Sequence, residues 1–233
     1  MLMMILSVDS SATPASVCLY DGKVLAEYYI NTKLTHSQTL VAMIESVLQV
    51  TGTDVKDIDM YAVNSGPGSF TGVRIGVSAV KGMAYAQDKP CVAVSTLHSM
   101  AYLDLSADAV ICACMDARRQ QVYNALFRIR EGKAERLCED RAVAVDALID
   151  ELKGYHEKVI LVGDGAELVY NSCMELNNIQ LAPANNRFQR ASSVAMIAEK
   201  TAGEGNTISA AALMPSYLRL SQAERERMEK QKG

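Results

Sequence analysis

The sequence lacks several features that would define its class. No uninterrupted apolar run approaches the length of about 18 residues that a membrane helix needs. Positive charge is not in excess: 23 lysines and arginines stand against 27 acidic residues, a formal net charge of −4. This balance argues against a broad basic surface that grips nucleic-acid phosphates unaided, although it allows a small local patch. The opening residues 1–6 lack the basic flank of a signal peptide, so we expect a cytoplasmic protein without membrane association.

Cysteine is present, but not in the arrangement of a metal site. The six cysteines are spread among apolar neighbours. Cys112 and Cys114 alternate along one predicted strand, and no second pair completes a zinc set. We therefore expect buried, reduced thiols. The content of hydrophobic residues, 49%, is ample for a core, and the length of 233 residues suits one large domain or two small lobes.

The most distinctive segment, NSGPGSFTGVRIG at 64–76, joins an apolar strand to a helix. Gly66 and Gly68 flank Pro67, so two positions with free φ bracket one that is fixed. The spacing fits neither the P-loop nor the dinucleotide-binding fingerprint. Two interpretations stay open, an anion site at the helix N-terminus and a sharp, well-capped turn, and the residues favour the turn.

The helix after this turn contains Gly72, Gly76 and Gly82, although an interior glycine costs about 1 kcal/mol relative to alanine. Gly72 and Gly76 recur with valines at steps of three and four, which predicts a smooth stripe along the helix. Such a stripe lets another backbone approach closely. That backbone belongs either to the home sheet or to a helix of another chain.

The order of predicted elements occurs twice. Each half runs strand, hairpin, strand, helix, strand, glycine turn, helix, and the first strands end in Asp9 and Asp116. This duplicated β-β-β-α-β-α unit predicts an α/β fold of the actin-like, ribonuclease-H-like type, two lobes each with a mixed sheet and flanking helices. A generic two-domain α/β protein is the alternative. We expect lobes at 1–100 and 101–233, with the segment after about residue 205 packing on the first lobe, and a solvated, charged helix at 222–232.

Asp9 and Asp116 have two interpretations. Their positional equivalents in actin-like kinases hold a metal–nucleotide, which would make these aspartates, with Ser10, Gly163 and Gly165, the remnant of a nucleotide cleft. However, Asp9 is not followed by a glycine that would let a phosphate approach the backbone. We favour carboxylates that bind backbone or water at the strand ends.

Several segments together resemble one family. They are ILSVDSS at 5–11, THSQ at 35–38, GPGSFTGVRIG at 66–76, MDARRQQVY at 115–123 and PSYLR at 215–219. In these segments the chain resembles the TsaB (YeaZ) family, a bacterial subunit of the system that makes the threonylcarbamoyl group on the adenosine next to the tRNA anticodon. The resemblance runs from residue 3 to about residue 222, and the segment at 66–76 is its most specific part.

The family has a catalytic paralogue of the same fold, TsaD, whose metal is held by two histidines four residues apart. The resemblance places Thr96 and Met100 at these ligand positions, with His98 between them. Threonine is a poor ligand for such a metal and a thioether is soft, while His36 and His156 are too distant in sequence to form the same pair. The resemblance therefore implies that the chain has no catalytic residues, no metal and no cofactor.

The resemblance implies a non-catalytic subunit that forms a heterodimer with TsaD and activates it, joined by the ATPase TsaE, with tRNA as the distal substrate. A homodimer in the absence of the partner is compatible with the sequence. In the family the first lobe's two helices, here about 36–50 and 70–86, pair with those of TsaD. The expected interface residues are His36, Leu40, Met43, Val47, Gly72, Val73, Gly76, Val77 and Val80. The alternative is a stand-alone enzyme on the same fold, an ATP-dependent phosphotransferase or an endopeptidase.

Overall fold

A computed structural model describes residues 3–219. The first half contains β1 (Ile5–Asp9), β2 (Ala15–Tyr20), β3 (Val24–Ile30), α1 (His36–Thr51), β4 (Met60–Gly66), α2 (Phe70–Ala86), β5 (Cys91–Ser95) and α3 (Thr96–Ala101). The second half contains β6 (Val110–Asp116), β7 (Gln121–Arg130), β8 (Lys133–Arg136), β9 (Arg141–Ala144), α4 (Val145–Leu152), β10 (Val159–Val162), α5 (Ala166–Asn171), β11 (Ile179–Leu181) and α6 (Ala191–Gly203). The predicted charged helix at 222–232 lies outside the described residues.

The two sheets have the same topology. The first has the strand order β3-β2-β1-β4-β5, and the second has the order β8-β7-β6-β10-β11, with β9 paired to β7. In each sheet the second strand pairs antiparallel with the first, and the hairpin strand after it pairs antiparallel with the second. The two later strands add in parallel on the other side of the first strand. The predicted fold class, with its duplicated unit, is confirmed.

The first sheet is covered on both faces. Helices α1 and α2 pack on one face. Their residues Leu40, Val47 and Val80 are buried there against every second residue of the strands, because successive strand side chains point to opposite faces of the sheet. Helix α6, which comes from the end of the chain, packs on the other face. Its small residues Ala191 and Ala195 are fully buried and let the helix lie close to the sheet.

The chain after α6 also contacts the first lobe. Ile208 exchanges two backbone hydrogen bonds with Cys91 at the edge of β5, at 2.8 and 2.9 Å. The Lys81 ammonium on α2 donates to the carbonyl oxygens of Ala211 and Leu213 at 2.9 and 3.2 Å. This segment therefore follows α2 back toward the glycine turn. The lobe boundary near residue 100 stays a prediction.

Candidate functional site

Helix α1 begins and ends with local signals in its own sequence. Gln38 returns its side-chain oxygen to the backbone N–H of Thr35 at 3.3 Å, which satisfies a donor at the helix start. Gly52 ends the helix in the left-handed region, with φ of 65°. His36, at the first helical position, lies 2.7 Å through Nε2 from the carbonyl oxygen of Ala12. This histidine therefore connects α1 to the loop after β1.

Most of the expected interface residues lie in the core of the first lobe. The apolar ones are buried between the two helices and their sheet: Leu40, Met43, Val47, Val73, Val77 and Val80. A side chain that packs against the home sheet offers little surface to a partner. These residues therefore position α1 and α2, and contacts to another chain need residues on the opposite side of both helices.

The track of Gly72 and Gly76 also faces inward. A Cβ on Gly72 would collide with the backbone carbonyl oxygen of Ser10, and one on Gly76 would collide with the Ser10 hydroxyl. The Ser10 hydroxyl instead donates to the Gly72 carbonyl at 2.8 Å. The backbone that approaches this helix is therefore that of the home loop after β1. This is one of the two alternatives that the sequence left open.

We call the exposed residues on the outward sides of α1 and α2 the α1/α2 face. It consists of Val41, Ala42 and Glu45 on α1 and of Ser78, Gly82 and Tyr85 on α2, all of them exposed. Val41 is 59% and Tyr85 is 73% exposed, which is unusual for residues of their size. Residues 78, 82 and 85 follow helical spacing and share one side of α2.

Among the described residues, no contact explains why position 82 of this face is a glycine. Apart from its chain neighbours and the backbone of its own helix, no heavy atom of residues 3–219 lies within 4 Å of the position that its Cβ would take. A glycine inside a helix costs about 1 kcal/mol relative to alanine, and no neighbour among the described residues requires it here. The surface at this position is therefore open to close approach.

A buried polar cluster lies beneath the glycine turn. We define the Asp9 cluster as Asp9, Ser11, Asn64, Ser99 and Gln189, all of which are buried. Asp9 Oδ1 accepts hydrogen bonds from the Ser11 hydroxyl at 2.6 Å and from the Asn64 amide at 2.8 Å. Asn64 also donates to Ser99 at 3.0 Å, and Gln189 donates to Ser11 at 3.1 Å. The cluster thus joins β1, β4, α3 and the segment before α6.

Sequence reasoning found only part of this cluster. Asp9 was expected at the end of a central strand. Asn64 lies in the distinctive segment, directly after an apolar run, and a polar residue in such a place indicates a candidate site residue. Gln189 lies 178 residues from Ser11 in the chain, and its local pattern gives no sign of the contact.

The carboxyl group of Asp9 is only half satisfied. Among residues 3–219, no hydrogen-bond partner is found for Asp9 Oδ2, Asn64 Oδ1 or Gln189 Oε1, although all three atoms are buried. Burial raises the pKa of Asp9 above its ordinary value, and the hydrogen bonds from Ser11 and Asn64 lower it by less. Protonation of Asp9 at Oδ2 would change this oxygen from an unsatisfied acceptor into a donor, in a cluster that also holds the acceptor oxygens of Asn64 and Gln189.

Replacing Asp9 by asparagine tests this protonation. Because the folded state holds the proton more tightly than the unfolded state, the contribution of Asp9 to stability is full below about pH 4 and is lost as pH rises through the raised pKa. Asp9→Asn keeps the shape without the charge, so its free energy of unfolding relative to the wild type should rise with pH. Urea unfolding at several pH values measures this difference.

Glu157 supplies the matched control. The guanidinium of Arg128, 2.7 Å away, lowers the pKa of Glu157. Its stabilising contribution is therefore present above its ordinary pKa and is lost on acidification. Glu157→Gln should lose stability relative to the wild type as pH rises, opposite in sign to Asp9→Asn. An Asp9→Asn difference that stays constant with pH would contradict a protonated Asp9.

The second lobe repeats the strand-end aspartate in a different setting. Asp116 is partly exposed, and its carboxylate accepts from the backbone N–H of Arg118 at 2.7 Å and pairs with the Arg118 guanidinium at 3.1 Å. Gly163, with φ of 100°, and Gly165 bring the turn after β10 against the end of β6, where a Cβ on either would collide with backbone. Asp9 and Asp116 therefore bind groups of their own lobes, and the nucleotide-cleft interpretation stays a hypothesis.

Thr96 and Met100, which the resemblance places at the metal-ligand positions of the paralogue, lie on α3. Thr96 and Met100 are fully buried. His98 stacks on Phe127 with ring centroids 5.4 Å apart, and burial lowers its pKa to about 4, so its imidazole is neutral near pH 7. Within residues 3–219, no group of three or more His, Cys, Asp or Glu side chains is placed to hold a metal ion. Over the same residues, no helix combines the length and apolar character needed to cross a bilayer.

Two lobes with one repeated strand order, and with helices on the sheet faces, define the class of duplicated, actin-like α/β proteins. The chain matches the family described as "TsaD: tRNA N6-adenosine threonylcarbamoyltransferase" over residues 23–227. The tRNA threonylcarbamoyladenosine biosynthesis protein TsaB of Bacillus subtilis (strain 168) is 32% identical, over 99% of this chain and 100% of that protein. The TsaB protein of Escherichia coli (strain K12) is 30% identical, over 93% and 95%.

Solved structures agree with these relatives. The structure described as "YeaZ from Pseudomonas aeruginosa" superimposes with a TM-score of 0.81 at 25% identity, over 93% of this chain and 100% of that chain. The chain belongs to the TsaD-type family and, within it, to the TsaB (YeaZ) group.

Proposed function

We propose that the chain acts in tRNA threonylcarbamoyladenosine biosynthesis as a non-catalytic subunit. In this proposal it binds TsaD through the α1/α2 face, holds TsaD in its active form, and works with TsaE in the cytoplasm, with tRNA reached through the complex. The names of the relatives support the pathway. The observation that carries the binding role is the exposed Gly82, which lies between Ser78 and Tyr85 on a face with large exposed apolar residues.

The site on α3 supports the non-catalytic part of the proposal. A metal ligand must present a donor atom to the ion, and Thr96 and Met100 are buried within the core. Met100 also offers a soft sulfur where the paralogue uses imidazole. The His98 ring stacks on Phe127 and packs edge-to-face against Tyr102. We therefore propose that the isolated chain transfers no carbamoyl group and turns over no nucleotide.

The shape and chemistry of the α1/α2 face fit a helical partner. Helices pack closest where small residues line the contact, because backbones then approach to the short end of the usual 8–10 Å interaxial range, as a rough guide. Ser78 and Gly82, four residues apart, provide such a track on α2. Val41 on α1 and Tyr85 on α2 are exposed apolar side chains, and in this proposal their burial against the partner would stabilise the complex.

A mixing assay tests the proposal. TsaD from the same organism is supplied with TsaE, ATP, threonylcarbamoyl-adenylate and unmodified tRNA, and transfer to tRNA is measured with and without this chain. We expect transfer only when the chain is present, at a stoichiometry of one chain to one TsaD. Equal transfer without the chain would overturn the activating role.

Assays of the same purified chain distinguish the non-catalytic subunit from the alternative, a stand-alone enzyme. The isolated chain is assayed for ATP hydrolysis and for cleavage of a peptide library, with the Asp9→Asn and His98→Ala variants beside the wild type. The proposal predicts rates equal to those of a buffer control. Turnover that Asp9→Asn abolishes would indicate a phosphotransferase, and peptide cleavage that survives repurification would indicate an endopeptidase.

A further inference from the structure

The described end of the chain crosses from one lobe to the other. We call residues 214–219 the clasp segment. Near its middle, the backbone N–H of Ser216 donates to the carbonyl of Ser65 in the glycine turn at 2.7 Å. The approach is so close that a Cβ on Gly66 would collide with the Ser216 carbonyl oxygen. The segment therefore lies directly against the turn from which α2 begins.

An aromatic stack fixes the clasp segment to α2. The rings of Tyr217 and Phe70 are parallel within 4°, with centroids 4.2 Å apart. Arg74, one turn further along α2, donates through Nε to the Tyr217 hydroxyl at 2.7 Å, and its guanidinium lies 5.2 Å from the centre of the Phe70 ring. The Arg74 guanidinium also lies 5.6 Å from the centre of the Tyr217 ring, so stacking, a hydrogen bond and a cation–π contact all act on Tyr217.

The last described residue reaches the second lobe. Arg219 donates to the carbonyl of Ala117 at 3.2 Å, and its guanidinium lies 5.8 Å from the centre of the Tyr123 ring. Ala117 begins the turn between β6 and β7, in which Arg118, Arg119 and Gln120 all have φ between 56° and 65°. Non-glycine residues adopt this region at a cost, so such a turn persists only where its surroundings hold it.

We propose that the clasp segment is a non-covalent tie that fixes the left-handed turn of the second lobe to the start of α2 in the first. The covalent crossings between the two sheets are the stretch that contains α3 and the stretch before α6. The clasp adds a third connection, at the edge where the strand-end turns of both lobes meet it. The second contact depends on the first. The Tyr217 stack holds the segment to α2, and this position lets Arg219 reach the turn.

This order makes the expected effects asymmetric. Loss of the Tyr217 ring should free the segment from α2 and also carry Arg219 away from the turn. Loss of the Arg219 side chain should release only the turn, because the stack remains. A tail that merely rests on the surface would produce no effect outside itself.

Hydrogen–deuterium exchange on the full-length chain tests the clasp. In Tyr217→Ala, amides in both 65–74 and 117–123 should exchange faster, by about two- to tenfold given the range for one aromatic pair. In Arg219→Ala, only 117–123 should change. Tyr217→Phe, which keeps the stack, should lie between Tyr217→Ala and the wild type, and Tyr85→Ala, at the far end of α2, should leave both segments unchanged.

Two results would overturn the proposal. One is faster exchange in Tyr217→Ala that is confined to residues 214–219. The other is an Arg219→Ala variant that loosens 65–74 as much as 117–123, which would place the primary contact at Arg219. Circular dichroism of every variant separates these outcomes from general unfolding, and neither result depends on TsaD.

Discussion

Gly82→Leu is expected to weaken binding of TsaD by roughly thirtyfold or more while the free chain stays folded. The position is exposed, and no heavy atom of residues 3–219 would contact its Cβ. Leucine is a better helix former than glycine, so the free chain should gain up to about 1 kcal/mol of stability. In the complex the same side chain would lie where two helices approach, at a cost of about 2 kcal/mol or more, roughly a thirtyfold loss of affinity.

Thermal unfolding and calorimetric titration with TsaD measure the two parts of this prediction. Gly203→Leu is the matched control, because Gly203 is also helical and has open space at its Cβ among the described residues, but lies on α6 away from the α1/α2 face. The control should bind TsaD normally and support transfer to tRNA. A Gly82→Leu variant with unchanged affinity would place the interface on another surface, and equal losses in both variants would indicate a non-specific effect.

The repeated fold could be predicted because its signals are local. The Asp21-Gly22 turn, the glycine–proline turn at 66–68 and the aspartates at two strand ends each punctuate one element. Helix α1 was predicted at about 36–50 and spans His36–Thr51, because its cap and its apolar spacing lie within one continuous segment. The second half was less regular. The short strands β9 and β11 were not predicted, since three or four residues are too few for a period to emerge.

The direction of each helix face could not be predicted in the same way. Gly72, Gly76 and Gly82 look alike in sequence, and only the position of Ser10 distinguishes them in space. The first two let α2 approach the loop after β1, and the third faces outward. The packing of helix α6 on the first sheet depends on contacts with residues more than 170 positions away. Such contacts have no signature in a local pattern.

Gly72→Leu is expected to have the opposite outcome to Gly82→Leu, although both change the same residue type in the same helix. A side chain at position 72 would collide with the carbonyl oxygen of Ser10. A backbone atom cannot rotate aside, so either α2 or the loop after β1 must move. The movement would also break the 2.8 Å hydrogen bond from the Ser10 hydroxyl to the Gly72 carbonyl.

The expected cost lies at or above the upper end of the range for overpacking, about 3 kcal/mol. Total stability of a domain is about 5–15 kcal/mol, so Gly72→Leu should lower the melting temperature by about 6–12 °C or prevent folding at 37 °C. Differential scanning calorimetry of both variants measures this contrast. If Gly72→Leu has the melting temperature of the wild type, α2 does not approach the loop as described. The assignment of Gly82 as the outward glycine would then also be wrong. If Gly72→Leu is destabilised and Gly82→Leu is not, the two glycines have separate roles, the first in holding α2 to its own lobe and the second in leaving room for a partner.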